Sequence, residues 1–214
     1  MESVLRVTSL IAVPAGLALF ALSGPILNLL FPSRPQEAAI AAPMLQVLGI
    51  AVIFVSMATP INSILQAIGQ EKLPVRFMLV GGSLKLIINF IFVAIPSIKI
   101  HSAPYGTVVC YAFIVVAALI ALSKSTGIRI NFLSVFIKPL VAGGLCAASA
   151  WVSHSLLGKV IGSPSIVTVL AILIGVCVYA LAILLIRGIA RDDVVMLPKG
   201  EKIAKILEKR GLIG

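Results

Sequence analysis

Six apolar runs constrain this chain more than any other feature of its sequence. Each is long enough to cross the hydrocarbon core of a bilayer, which takes about 20 helical residues. The predicted spans are residues 7–31, 43–68, 74–96, 104–123, 135–157 and 165–187. Only 11% of the 214 residues are charged, whereas about a quarter of the residues in a soluble domain are charged. The sequence therefore predicts an all-α, polytopic transmembrane helix bundle.

The chain divides into two parts by composition. No long polar segment separates the six runs, so residues 1–190 are predicted to form one transmembrane domain. Residues 191–214 form a basic tail, in which lysines surround an apolar side made of Ile203, Ile206 and Leu207. This pattern is typical of an amphipathic helix on a membrane surface, and a solvated, frayed tail is the alternative.

The first run is open to two interpretations. Arg6 precedes an apolar stretch, and the Ala21-Leu22-Ser23 sequence resembles a signal-peptide cleavage site. The run stays apolar to Phe31, however, which favours a retained spanning helix. Pro14 lies inside this run and predicts a kink at which neighbouring helices satisfy the freed backbone groups.

The distribution of basic residues predicts the orientation. The formal net charge is +10, but the basic residues lie in short loops and in the tail. That pattern indicates topology signals and contacts with anionic lipids, and it argues against a nucleic-acid partner. With the N-terminus inside, 13 of the 17 Lys and Arg residues lie on the inner side and only three on the outer side. Both termini are therefore predicted to be cytoplasmic.

One basic residue, Lys85, lies within a predicted span. A cation at the centre of an apolar helix costs roughly 2.5–3.5 kcal/mol on insertion scales, so a cavity, a partner or an anionic ligand is expected to compensate. Gly81, Lys85 and Asn89 share one helix face, and Lys85 lies about 16 Å beyond Pro74. The alternative is that Lys85 bonds to groups of adjacent helices or extends to the membrane surface.

The preceding helix carries a polar stripe, which comprises Ser56, Thr59, Ser63 and Gln66 at spacings of three and four. Gly69 and Pro74 bound a short turn, which predicts an antiparallel hairpin with Lys85 level with Thr59. If the two polar faces point the same way, they line one polar cleft. Interhelical hydrogen bonding by the stripe is the alternative.

Motifs of enzyme chemistry are missing from the sequence. It contains no G-x-x-x-x-G-K-[ST], G-x-G-x-x-G, H-E-x-x-H or G-x-S-x-G pattern. The three cysteines lie in different apolar runs without C-x-x-C spacing and are interpreted as small buried residues. All seven acidic residues fall outside the predicted spans. We therefore expect no enzyme activity, no metal site and no cofactor.

The stretch LQAIGQEKLP…GGSLKLIIN resembles the C-terminal half of the MOP (multidrug/oligosaccharidyl-lipid/polysaccharide) flippase superfamily. It is most similar to the polysaccharide-transporter branch that includes stage V sporulation protein B. The family's Gly-Gln/Arg-x-Lys-x-Pro turn and its membrane Lys-x-x-x-Asn pattern match this sequence at Gly69, Gln70, Lys72, Pro74, Lys85 and Asn89. VPAGLALFALSGPILNLLF in the first run and LPKGEKI in the tail are further matches.

This resemblance implies one lobe of a two-lobe transporter in a bacterial plasma membrane. Such transporters flip lipid-linked oligosaccharide or polysaccharide precursors for cell-wall or spore-cortex assembly by alternating access. The expected partners are membrane lipids, the anionic precursor and a missing N-terminal lobe. Lys85 is expected to bind a pyrophosphate or other anionic headgroup, with Asn89, Thr59 and Gln66 as polar neighbours.

Two other functions remain open. A multidrug or cation antiporter lobe of the same superfamily is one, although such antiporters usually place a carboxylate inside the membrane. A non-transporting membrane scaffold is the other.

Overall fold

The computed structural model describes residues 2–94, 102–127 and 133–185, and these residues form helices joined by short turns, without strands. The helices are α1 Glu2–Ala21, α2 Ser23–Leu30, α3 Pro35–Ala67, α4 Lys72–Val93, α5 Ser102–Thr126, α6 Lys138–Leu157 and α7 Pro164–Leu185. A π-helical turn, Leu133–Ile137, leads into α6. Of the seven α-helices in the described residues, all except α2 are long and apolar enough to span a membrane. The predicted all-α bundle with six spanning helices is confirmed.

Two helix boundaries differ from the predicted spans. The first run is divided at Leu22 into α1 and the short α2. α3 begins at Pro35 and has 33 residues, which makes it about 50 Å long and longer than a hydrocarbon core of about 30 Å. Its first turn is polar, since Arg34 and Glu37 form an ion pair at 3.2 Å. The predicted tail, residues 191–214, lies outside the described residues.

The packing order of the helices differs from their order in the chain. α5 packs along both α3 and α4, while α3 and α4 touch each other only sparsely. α3 also packs along α1, α1 along α6, and α6 along α7. An apolar core joins α3 to α5, with Met57, Ile61 and Leu65 buried against α5 residues such as Ile114 and Ala118. The helices therefore pack in the order α4, α5, α3, α1, α6, α7.

α1 and α3 meet through two glycines. A Cβ on Gly16 would lie 2.5 Å from the carbonyl oxygen of Gly49, and a Cβ on Gly49 would lie 2.6 Å from the carbonyl oxygen of Gly16. The two backbones are thus in direct contact, as small residues permit between membrane helices. This contact holds α3 in place against the centre of the bundle.

Pro14 interrupts the hydrogen bonding of α1, and a neighbouring helix compensates. Proline has no N–H, so the carbonyl of Leu10, four residues earlier, loses its helical partner. The hydroxyl of Tyr179 on α7 donates a hydrogen bond to that same carbonyl oxygen. The expectation that a neighbour satisfies the backbone at Pro14 is therefore confirmed, with Tyr179 as the donor.

This pairing gives a first prediction. Tyr179→Phe removes the donor and should destabilise the protein by about 0.6–1.7 kcal/mol, the range for hydrogen bonds inside membrane proteins. Unfolding in mixed micelles, followed by far-UV circular dichroism, measures the change. In a Pro14→Ala background the backbone N–H of residue 14 can donate to the carbonyl of Leu10. Tyr179→Phe should then lower the free energy of unfolding much less. Equal destabilisation by Tyr179→Phe in both backgrounds would contradict the role of Tyr179 as the donor that replaces the missing N–H of Pro14.

Candidate functional site

The candidate site begins at the seam between α4 and α5. Within α4 only Pro74 and Gly81 are fully buried, so α4 is an edge helix of the bundle. A Cβ on Gly81 would lie 2.9 Å from Cγ1 of Ile114 and 3.2 Å from Sγ of Cys110. Glycine at this position lets the two helices approach closely, with α4 running antiparallel to α5.

Further along the seam, Lys85 and Asn89 lie over Gly106. A Cβ on Gly106 would collide with Oδ1 of Asn89 and would lie 3.3 Å from Cγ of Lys85. Gly106 is four residues into α5, which begins at Ser102. Lys85 lies just past the middle of α4, and Asn89 follows one turn later. Lys85 and Asn89, both predicted site residues, therefore pack side by side against Gly106 of α5.

The polar groups of this pair have unused bonding capacity. Oδ1 of Asn89 is buried and, among the described residues, accepts no hydrogen bond from an N–H or O–H group. It faces the Cα of Gly106, and a Cα–H group is a much weaker donor. Lys85 is half-buried and has no carboxylate partner in residues 2–94, 102–127 or 133–185. A ligand with acceptor oxygens could bind the ammonium group of Lys85.

Thr59 and Gln66, the other two predicted site residues, lie elsewhere. Thr59 is exposed, and its hydroxyl donates to the carbonyl of Val55 on its own helix at 3.5 Å. Ser63 donates to the carbonyl of Thr59 in the same way, at 3.1 Å. These hydroxyls of the polar stripe thus bond within α3 and do not join it to a neighbour. Gln66 is exposed in the last turn of α3.

The sequence did not predict Gly106, because its polar residues point only to a pairing of α3 with α4. The available signal was a glycine one turn into the helix that follows α4 in the chain. Small residues at that position allow close helix packing, but they do not reveal which neighbour approaches. No group of three or more His, Cys, Asp or Glu residues suited to a metal occurs in the part of the chain described here.

Gly106 gives a second prediction. Gly106→Ala should force α4 away from α5 and destabilise the protein by about 1–3 kcal/mol, the usual cost of overpacking. Gly82→Ala is the matched control, because a Cβ on Gly82 has no neighbour within 4 Å. Unfolding in mixed micelles measures both. Asn89→Ala, combined with Gly106→Ala, should recover part of the stability that Gly106→Ala loses. Equal stabilities of Gly106→Ala and Gly82→Ala would contradict the close contact between α4 and α5 at Gly106.

Comparison with known families gives a match over the first part of the chain. The MatE family model matches residues 2–91, which make up 90 of the 214 residues. This segment contains α1 to α3, most of α4, and both Lys85 and Asn89. The match therefore shows similarity to the MatE family over less than half of the chain. Searches of curated proteins and of solved structures found no match.

Proposed function

We propose that this chain forms one lobe of a transporter that flips lipid-linked oligosaccharide or polysaccharide precursors across a bacterial plasma membrane. Lys85 binds the pyrophosphate or other anionic headgroup of the precursor, and Asn89 orients the lysine or bonds to the headgroup beside it. The MatE match supports the coarser part of this proposal, a transporter of the MOP superfamily. Members of that family are transporters rather than enzymes.

The observation that carries the proposal is the environment of Lys85. The lysine is half-buried near the middle of an apolar helix and has no carboxylate partner in the described residues. A membrane cation without a partner is costly, and phosphate oxygens are ligands that lysine commonly binds. An anionic substrate that passes the α4–α5 seam would remove that cost while it is bound.

The exposed surface of α3 supports the presence of a second lobe. Thr59, Ser63 and Gln66 lie on a face opposite the buried residues Met57, Ile61 and Leu65. Polar side chains at membrane depth usually face a bundle interior or a water-filled cavity. A second lobe opposite α3 would enclose such a cavity, and alternating access could then expose it to each side of the membrane in turn.

A drug or cation antiporter of the same superfamily remains the second candidate, because the MatE match fits it equally. Coupling to protons or sodium usually requires a carboxylate within the membrane. In the spanning helices as described, Glu37 lies in the first turn of α3 and is paired with Arg34. No carboxylate lies deeper in these described helices, which favours the anionic precursor.

The test is a flipping assay in membrane vesicles from cells that produce the protein with everything it assembles with. Lys85→Met should lower the transfer of a fluorescent lipid-linked precursor roughly ten- to a hundredfold, since a hydrogen bond to a charged group contributes about 1.5–3 kcal/mol. Lys85→Arg should retain part of the activity. Protein abundance should be unchanged in both variants.

Lys124→Met is the matched control, because it removes a basic residue from the last turn of α5. It should leave the transfer rate within about twofold of the wild type, as expected for a surface charge. Preserved transfer in Lys85→Met would remove the lysine from the mechanism. Efflux of a cationic drug that depends on an ion gradient and survives Lys85→Met would favour the antiporter.

A further inference from the structure

A second polar feature lies at the turn between α3 and α4. It is a cavity of about 610 Å³ lined by Gln66, Glu71, Lys72, Val75 and Arg76, here called the turn cavity. None of these residues belongs to the seam around Lys85. Both helices that border the turn are long and apolar enough to span a membrane, which places the turn cavity at a membrane surface.

The backbone of the turn is fixed. The N–H of Gln70 donates to the carbonyl of Leu65 at 2.9 Å, and the N–H of Gly69 donates to the carbonyl of Gln66 at 3.0 Å. With Gly69 at a φ of 79°, this is the Schellman arrangement that ends helices. It holds the last turn of α3 against the first turn of α4, and so positions Gln66 beside Lys72 and Arg76.

The charged groups of the turn cavity are not neutralised within it. Lys72 and Arg76 are one helical turn apart on α4 and both are exposed. Glu71 also lines the cavity, yet it forms no ion pair with either of them in the described structure. The cavity thus presents two cations, one carboxylate and one amide to whatever occupies it.

This set of groups fits a particular headgroup. A phosphate can bind between lysine, which acts as a point charge, and arginine, which donates two parallel hydrogen bonds. The carboxylate of Glu71 accepts hydrogen bonds and would bind an ammonium or hydroxyl donor next to the phosphate. The amide of Gln66 can both donate and accept.

An apolar ridge on α4 continues from the turn cavity along the helix. Val75, Leu79, Leu86 and Phe90 recur at spacings of four, seven and four, so they share one face. Their exposed fractions are 57%, 67%, 72% and 85%. Acyl chains attached to a headgroup in the cavity would run along this ridge, whereas a soluble phosphate compound would leave it uncovered.

We propose that the turn cavity binds the headgroup of a membrane phospholipid that carries a hydrogen-bond donor beside its phosphate, with its acyl chains on the apolar ridge. Lys72 and Arg76 bind the phosphate, and Glu71 accepts the donor. The site is therefore selective for phosphatidylethanolamine or phosphatidylglycerol over phosphatidylcholine, which has no donor. This inference does not depend on the transport function proposed for Lys85.

The test measures which lipids the detergent-purified chain retains, by native mass spectrometry with the three phospholipids added in equal amounts. The wild type should retain phosphatidylethanolamine and phosphatidylglycerol in clear preference to phosphatidylcholine. Lys72→Gln combined with Arg76→Gln should lower that retention about tenfold or more, since each basic residue near a membrane surface contributes substantially to lipid binding. Glu71→Gln should reduce the preference over phosphatidylcholine while phosphate binding persists.

The control variant combines Lys124→Gln with Lys159→Gln, which removes the same charge from exposed positions outside the cavity. It should retain lipid like the wild type. An equal loss of retained lipid in the control would mean that phospholipids bind to any basic surface of the protein, which would overturn the site. Unchanged lipid retention in the Lys72→Gln, Arg76→Gln variant would also overturn it. Displacement of lipid by inorganic phosphate at millimolar concentration would identify a soluble phosphate ligand instead. Far-UV circular dichroism checks that all variants are folded.

Discussion

The packing of α5 between α3 and α4 determines where every polar group of the candidate site lies. α3 joins α5 through an apolar core, and α4 approaches α5 through Gly81 and Gly106. Because both helices pack against the same neighbour, Lys85 lies on the α4–α5 seam while Thr59 lies on an open surface of α3. The chain order alone, with its short turn between α3 and α4, would place these two residues opposite each other.

The membrane sets the second constraint, since polar groups in hydrocarbon need partners within the protein. The chain meets this need locally at several points. Tyr179 binds the carbonyl freed by Pro14, and Thr59, Ser63 and Ser83 donate to their own helices. Lys85 and Asn89 differ from these residues, because the ammonium has no carboxylate and Oδ1 of Asn89 accepts no conventional hydrogen bond in the described structure. The seam is therefore one place where two polar groups with unused bonding capacity lie side by side.

The sequence predicted the parts of the fold that hydrocarbon thickness dictates. Runs of about 20 apolar residues must be helical in a membrane, and so six spanning helices followed directly from composition. Helix neighbours could not be predicted in the same way, because a helix that is apolar on every side carries no signal for which side packs where. Likewise, Pro14 predicted that a donor must exist but could not identify Tyr179. The pairing of Lys85 with Asn89 followed from helical spacing, whereas Gly106 beneath them did not.

Water access at position 85 tests the central claim most directly, namely that Lys85 on the α4–α5 seam is open to an anionic headgroup and not turned toward lipid. Lys85→Cys would be placed in a chain whose Cys110, Cys146 and Cys177 are alanine, with Phe90→Cys on the apolar ridge as the comparison. In membranes of cells that produce the protein, a charged, membrane-impermeant thiol reagent should modify position 85 and leave position 90 unmodified. Modification of position 85 only by a lipid-soluble reagent would contradict the account.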